Sequence, residues 1–414
     1  MNKTIGVVSF AACAATSLFA TTPSIMPSSV TMTQNESRTV TVSYRLATGP
    51  AVVTLGIETN AGDNAWVALP DANVRTVYGD VNQLVSNTTD VLNIYWQPDH
   101  DWPNQLIAKE NIRAVVKAWA VDSLPDYLVV DLTVSGHCRY YTSEDALPES
   151  VSSDTYRTDK LLMRKIPAAG VEWRMGSPSD EKGHGNSEIT HYVTLTKDYF
   201  IGVFELTQKQ YQRIMQTDSN PSGTIGDTLP VLRMSYNTLR GDSSTSPYNW
   251  PNGRSVDASS VVGKLSKLSG LDFDLPTEAQ WEYACRGGVG TGLNSGKDVL
   301  YTSNPCPNFD EVGWYSLNSG SMPHRVGEKL PNAWGLYDMH GNASEWCLDF
   351  GGADLNVDVV DPEGPSTGTA RVIKGGYFST SAADGRCAAR RDYDSPSSGF
   401  SMFGARMKCA AVAK

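Results

Sequence analysis

Between residues 28 and 136 apolar and polar positions alternate in short runs. Val30-Thr31-Met32-Thr33 and Thr39-Val40-Thr41-Val42-Ser43-Tyr44 repeat with a period of two, and further β-branched and aromatic runs cover 52–57, 91–96, 112–119 and 127–134. Gly, Pro, Asn and Asp clusters separate them, and no stretch carries a helical period. A period of two buries one face of each strand, so this region is expected to be an all-β antiparallel sandwich. Residues 137–160 follow as a linker, because the stretch from Ser143 to Lys160 is rich in Ser, Asp, Glu and Thr and shows no apolar periodicity.

Residues 161–411 read differently, with many Gly, Trp and Tyr and few periodic segments. The pattern predicts two helices. One spans Thr207 to Met215 with Thr207 as its N-cap. The other opens on the capping box Thr277-Glu278-Ala279-Gln280, in which the Thr hydroxyl and the Gln side chain satisfy each other's free backbone N–H groups, and stops at Gly287-Gly288.

Composition narrows the function classes. In 414 residues, 40% apolar content with 36 Gly and 22 Pro fits a loop-rich globular chain of two domains. A net charge of −11 argues against nucleic acid or an anionic membrane surface as partner, since both are held by clustered Lys and Arg. Lys3, the apolar run Ile5 to Ala20 and the small residue Ala20 read as a signal peptide over residues 1–21, with lipid attachment at Cys13 as the alternative. No later run is long enough to span a membrane. The expected location is secreted, periplasmic or cell-surface. Six cysteines follow the signal, an even count that favours disulfides in an exported chain.

A series of motifs runs in fixed order through the second region: Met175-Gly176-Ser177, Glu205-Leu206-Thr207-Gln208, Leu275-Pro276-Thr277-Glu278-Ala279-Gln280-Trp281-Glu282-Tyr283, Gly335-Leu336-Tyr337-Asp338-Met339, Gly341-Asn342-Ala343-Ser344-Glu345-Trp346, Lys374-Gly375-Gly376, Arg386-Cys387-Ala388-Ala389-Arg390 and Gly404-Ala405-Arg406. The series resembles the formylglycine-generating-enzyme (sulfatase-modifying factor) family along its whole domain. The resemblance implies an α+β C-type-lectin-like fold with low regular secondary structure. The preceding sandwich resembles immunoglobulin or fibronectin modules. Active members of the family use copper and oxygen to oxidise a sulfatase cysteine to formylglycine, and more distant relatives are nonheme-iron enzymes or non-catalytic ligand-binding proteins.

Active members carry two Cu(I)-binding cysteines between the Gly-Gly and Arg-Cys-Ala-Ala-Arg motifs. Here the interval is Tyr377-Phe378-Ser379-Thr380-Ser381-Ala382-Ala383-Asp384-Gly385, without Cys, His or Met. Soft sulfur is what Cu(I) selects, so formylglycine formation is not expected. Iron needs clustered imidazoles, and His184, His191, His324 and His340 show no metal-ligand spacing. The resemblance implies a structural Ca²⁺ held by Gly341 O, Ala343 O and the Glu345 carboxylate, with Asn308 as part of a second site. It also implies a disulfide joining Cys285 to Cys409. Cys347 with Cys387 is a second expected pair, which would leave Cys138 with Cys306, a connectivity the sequence leaves open. Two readings stand. The first is a non-catalytic, calcium-stabilised binding module for a protein or glycan ligand, presenting Ser379 and Thr380 on an exposed loop. The second is a divergent metal-dependent oxidoreductase acting on a thiol.

Overall fold

The computed structural model describes residues 22–86, 88–302, 305–352, 357–390 and 392–412. The expected signal peptide and Cys13 lie outside these residues. The structure is mostly β with a few short helices.

Two four-stranded antiparallel sheets, with a two-stranded ladder of Ser24–Ile25 and Leu46–Thr48 beside them, form the described N-terminal part. One runs in the order Thr31–Gln34, Val40–Tyr44, Leu92–Trp96, Val77–Gly79. The other runs Ile112–Trp119, Ala51–Asn60, Trp66–Ala68, with Leu84–Val85 beside Ala51–Asn60. The alternation read from sequence is the cause. Val40, Val42 and Tyr44 are buried and pair with Trp96, Ile94 and Leu92 across the ladder, while Thr41 and Ser43 face outward. Val53 and Ile57 of the second sheet close the same core.

The boundary between the two parts differs from expectation. Tyr127–Asp131 and Cys138–Tyr141 do not belong to the sheets of the N-terminal part. They extend a six-stranded sheet of the second part, in the order Cys138–Tyr141, Tyr127–Asp131, Lys160–Ile166, Tyr199–Gly202, Lys408–Ala410, Phe273–Asp274. Leu128 pairs with Met163 and Val130 with Leu161. Nor are residues 137–160 a linker. Leu147, Val151 and Tyr156 are buried, and the guanidinium of Arg157 donates to Val326 O, Val151 O and Ser153 O at 2.9 Å each. Val52 and Leu124 join the core of the second part, and Tyr140 N donates to Asn82 O at 2.7 Å, so the two parts share packed surface.

Both expected helices are present. Gln208–Met215 is capped by Thr207 and Glu278–Arg286 by Thr277, each with a reciprocal capping box. Gly287 ends the second at φ 57°, a left-handed C-cap. A third helix, Val261–Ser269, is capped by Ser260 and closed by Gly270. A four-stranded sheet ordered Asp392–Asp394, Arg371–Lys374, Ser344–Phe350, Phe403–Gly404 packs beside the Glu278–Arg286 helix and carries the Gly375-Gly376 turn to the candidate site.

Candidate functional site: the Gly376–Arg386 interval and the thiol pair beneath it

Gly375 and Gly376 leave the strand Arg371–Lys374 with φ 87° and 70°. A Cβ on Gly376 would stand 2.9 Å from Thr380 Oγ1 and 3.1 Å from Gly385 Cα, so the two ends of the interval meet at a position only glycine fills. The interval then satisfies its own polar groups. Thr380 Oγ1 donates to Tyr377 O at 2.8 Å and accepts from Tyr377 N at 3.0 Å. Asp384 Oδ2 accepts from Ser381 Oγ at 2.8 Å and from Ser381 N at 3.2 Å. The neighbouring 313–330 loop holds it from outside, with Ser316 N donating to Thr380 O at 3.0 Å and Ser319 Oγ to Phe378 O at 2.5 Å.

Of the two expected ligand-binding residues, Ser379 is exposed and Thr380 is half-buried. Thr380 therefore serves the turn, and Ser379 is the one presented to solvent. In the 313–330 loop the His324 imidazole stacks on Trp314 at 3.7 Å and 9°. Its Nε2–H donates to Ser319 O at 2.8 Å, and Lys329 Nζ lies 3.8 Å from the Trp314 ring centroid. These contacts hold the loop, while Trp314 Nε1–H is buried without a hydrogen-bond partner among the described residues.

The sulfur chemistry lies deeper. Cys285, near the end of the Glu278–Arg286 helix, brings its Sγ to 3.4 Å from Cys387 Sγ. His340 completes a group whose potential ligand atoms lie within 4.8 Å of one another, all of it buried. Both imidazole nitrogens are already used. Nε2 accepts the Asn294 N–H at 3.0 Å, which fixes the proton on Nδ1, and Nδ1 donates to Gly385 O at 2.6 Å. With both ring nitrogens engaged, His340 has no lone pair for an ion, so the trio does not offer three ligands; what it leaves is a buried sulfur pair packed on a histidine. Burial pushes the Cys285 thiol well above its ordinary range; burial raises Cys387 too, but its contacts with Cys285 and His340 draw it below, and the pair as a whole is sealed from solvent.

This arrangement corrects the cysteine pairing. Cys409 lies on the strand Lys408–Ala410 between Tyr199–Gly202 and Phe273–Asp274, in a different core cluster from Cys285. Cys347 is buried on Ser344–Phe350. Cys306 packs with Phe309 and Tyr315 in a cluster of its own, whereas Cys138 packs against the cluster of Cys409, so those two are not partners either. The six described cysteines are thiols in this structure.

The remaining motif residues form buried ion pairs. Arg386 is fully buried. Its Nη1 meets Glu181 at 2.5 Å, its Nη2 meets Glu188 at 2.8 Å, and it donates to Gly183 O as well. Glu282 pairs with Arg286 at 2.8 Å and Lys374 at 3.1 Å. Burial opposes its ionisation, yet Lys374 and Arg286 hold the carboxyl down at about 2. Glu345 takes a forked contact from Arg406, with Nε at 3.0 and 3.1 Å and Nη2 at 2.8 Å, and Trp281 Nε1 donates to it at 2.6 Å. Sequence reading singled out Glu282, Glu345, Lys374, Arg386 and Arg406 as part of a signature but gave them no partners, and it did not mark Glu181, Glu188 or Arg286. Their charge signs were visible; their pairing required the fold.

The expected calcium ligands do not fit that ion. Both Glu345 oxygens are already taken by the Arg406 guanidinium and the Trp281 indole, so the carboxylate brings no free oxygen to the six to eight that Ca²⁺ takes. Gly341 N donates to Gly375 O at 2.7 Å and Ala343 N to Glu205 Oε1 at 2.8 Å, contacts that fix the segment through its amides. Asn308 uses its amide on Asp298 O at 2.8 Å. Asp338 Oδ1 is a buried oxygen without a hydrogen-bond partner, but one oxygen does not make a shell. The interval 377–385 likewise offers Cu(I) no sulfur or imidazole.

Comparison with known proteins places this geometry. The profile of the sulfatase-modifying factor enzyme 1-like domain matches residues 162–410. The chain is 29% identical over 263 residues to the chaperone protein LppX of Paenibacillus barcinonensis, covering 56% of this chain and 83% of that one. It is 39% identical over 120 residues to the formylglycine-generating enzyme of Thermomonospora curvata, covering 25% of this chain and 38% of the enzyme. The serine/threonine-protein kinase pkn1 of Chlamydia pneumoniae matches at 26% over 234 residues, 35% of its length. This chain therefore spans little more than a third of those last two proteins. Among solved structures, Treponema denticola variable protein 1 superposes with a TM-score of 0.47 at 25% identity, covering 63% of this chain and 98% of that one. PvdO from Pseudomonas aeruginosa gives 0.49 at 22%, covering 60% and 94%. With the family profile matching residues 162–410, more than half of the chain, the chain belongs to the sulfatase-modifying factor enzyme 1-like family.

Proposed function

We propose that this chain is a non-catalytic binding module, a family scaffold kept for its shape, with a C-type-lectin-like second part carried beside an immunoglobulin-like sandwich. One observation carries the proposal. The interval where active members hold copper is closed on itself by Thr380, Ser381 and Asp384, and the nearest sulfur pair, Cys285 with Cys387, is sealed from solvent. The motif residues that identify the family are occupied as fold-holding ion pairs, so their presence here supports the scaffold and not the chemistry.

The ligand of this domain is a protein surface, taken up outside the cytoplasm. The similarity to a protein named as a chaperone favours that class. Exposed Ser379 and the half-exposed Phe400 ring are the side chains offered to such a partner. The proposal is tested by incubating the full chain with Cu(I), oxygen and a cysteine-containing sulfatase peptide, then weighing the peptide by mass spectrometry. No conversion of cysteine to formylglycine is expected. Turnover that rises with enzyme concentration contradicts the proposal.

A further inference from the structure

The N-terminal part carries a cavity of about 440 Å³ that the family scaffold does not account for. It opens between the Thr31–Gln34 edge of the first sheet and the segment 98–112, on the opposite domain from the interval described above. Its volume lies within the roughly 300–1,000 Å³ of small-ligand pockets.

The lining is of two kinds. Val40, Trp96 and Ile112 form an apolar floor, and Trp102, half-buried, forms a wall. Trp96 Nε1 is spent on Asp101 Oδ2 at 3.3 Å, so its indole meets the cavity as an apolar surface. At the mouth stand Gln34 and Gln105, whose amides are oriented by local bonds to Arg38 O at 3.0 Å and Pro103 O at 3.3 Å. Arg38 and Asp99 complete the mouth, paired to each other at 3.1 Å.

That lining selects among ligands. A hydrocarbon would desolvate the two amides and the ion pair without replacing their water. A cation would have to break the Arg38–Asp99 pair to find a counter-charge, and an anion would find outside that pair only the Lys109 ammonium of the 98–112 segment. A neutral, polyhydroxylated ring does neither. Its C–H face packs on an indole, and its hydroxyls both donate and accept, as side-chain amides and a guanidinium–carboxylate pair require.

We infer that the sandwich domain binds a neutral saccharide unit in this cavity, independently of the ligand of the second domain. The full chain is tested on an array of neutral sugars, namely glucose, galactose, mannose, N-acetylglucosamine and their β-linked disaccharides. The best hit is then titrated by tryptophan fluorescence. At least one sugar is expected to bind saturably, with a loss of tenfold or more in Trp102→Ala and no more than about threefold in Trp102→Phe. Exposed Gln34→Ala gives a second reading should Trp102→Ala fail to fold, with an expected loss of threefold or more. Absence of any saturable binding at millimolar sugar overturns the inference. So does binding that Trp102→Ala and Gln34→Ala leave unchanged, or binding abolished by Ser379→Ala, which would put the sugar on the other domain.

Discussion

In an oxidising compartment Cys285 and Cys387 should close to a disulfide, and the stability this confers can be worked from the structure. The two sulfurs stand 3.4 Å apart, against about 2.05 Å in a bond, so a small side-chain movement suffices. The cross-link would close a loop spanning 102 positions. Loop-closure entropy makes such a bridge worth about 4.7 kcal/mol. With a urea m-value of about 3 kcal/mol/M, the oxidised chain should unfold at a midpoint roughly 1.5 M above the reduced one. The assay is a pair of urea titrations with and without phosphine reductant, followed by peptide mapping of the oxidised sample. Cys285→Ala should unfold near the reduced midpoint and lose its response to reductant. Coincident midpoints, or mapping that joins Cys285 to Cys409, would refute the reasoning.

Three further outcomes follow from named contacts. Asp349 is buried and lies against Glu278, which pushes its carboxyl up to about 7 from an ordinary 3.8. A raised acid takes up a proton on folding, so its contribution is present below pH about 4 and lost as pH rises through 7; Asp349→Asn should therefore stabilise by about 2–4 kcal/mol at pH 8, a gain that fades toward pH 4 in thermal melts. Arg386→Met leaves Glu181 and Glu188 buried without their cation and should cost about 3–5 kcal/mol in urea titrations, whereas a loss below 1 kcal/mol would show the cluster to be solvated. Thr380→Ala removes both turn bonds and should cost about 1 kcal/mol, while Ser379→Ala should leave the urea midpoint in place; equal effects would mean that the interval is not held as described.

The parts of the fold legible in the sequence were those with a local cause. The alternation through Val40, Val42 and Tyr44 and the two capping boxes each state their own geometry, and both reappear in the structure. Pairing partners have no local cause. The run around Tyr127–Asp131 reads as one more strand of the N-terminal sheets because its neighbours in sequence are such strands, yet Lys160–Ile166 is what it pairs with. Leu147, Val151 and Tyr156 are apolar residues spaced four and five apart in polar sequence, and their burial rests on contacts such as Arg157 with Val326, far along the chain. Val261–Ser269 was missed because Gly263 and its serines weaken the helical pattern that Ser260 and Gly270 nonetheless bound. At the candidate site, the lack of copper ligands between Gly376 and Arg386 was visible as composition. The neighbourhood of Cys285 and Cys387 was not, since it depends on where the helix end meets the segment after the interval.

The central claim is that this scaffold does not hold a redox metal. The most direct test is elemental analysis of the full chain, purified from an oxidising compartment, loaded with one equivalent of Cu(I) and gel-filtered without chelator. Copper well below 0.1 per chain is the result the closed interval and the engaged His340 imidazole require. Copper near one per chain, surviving filtration and lost in Cys387→Ala, would contradict the account.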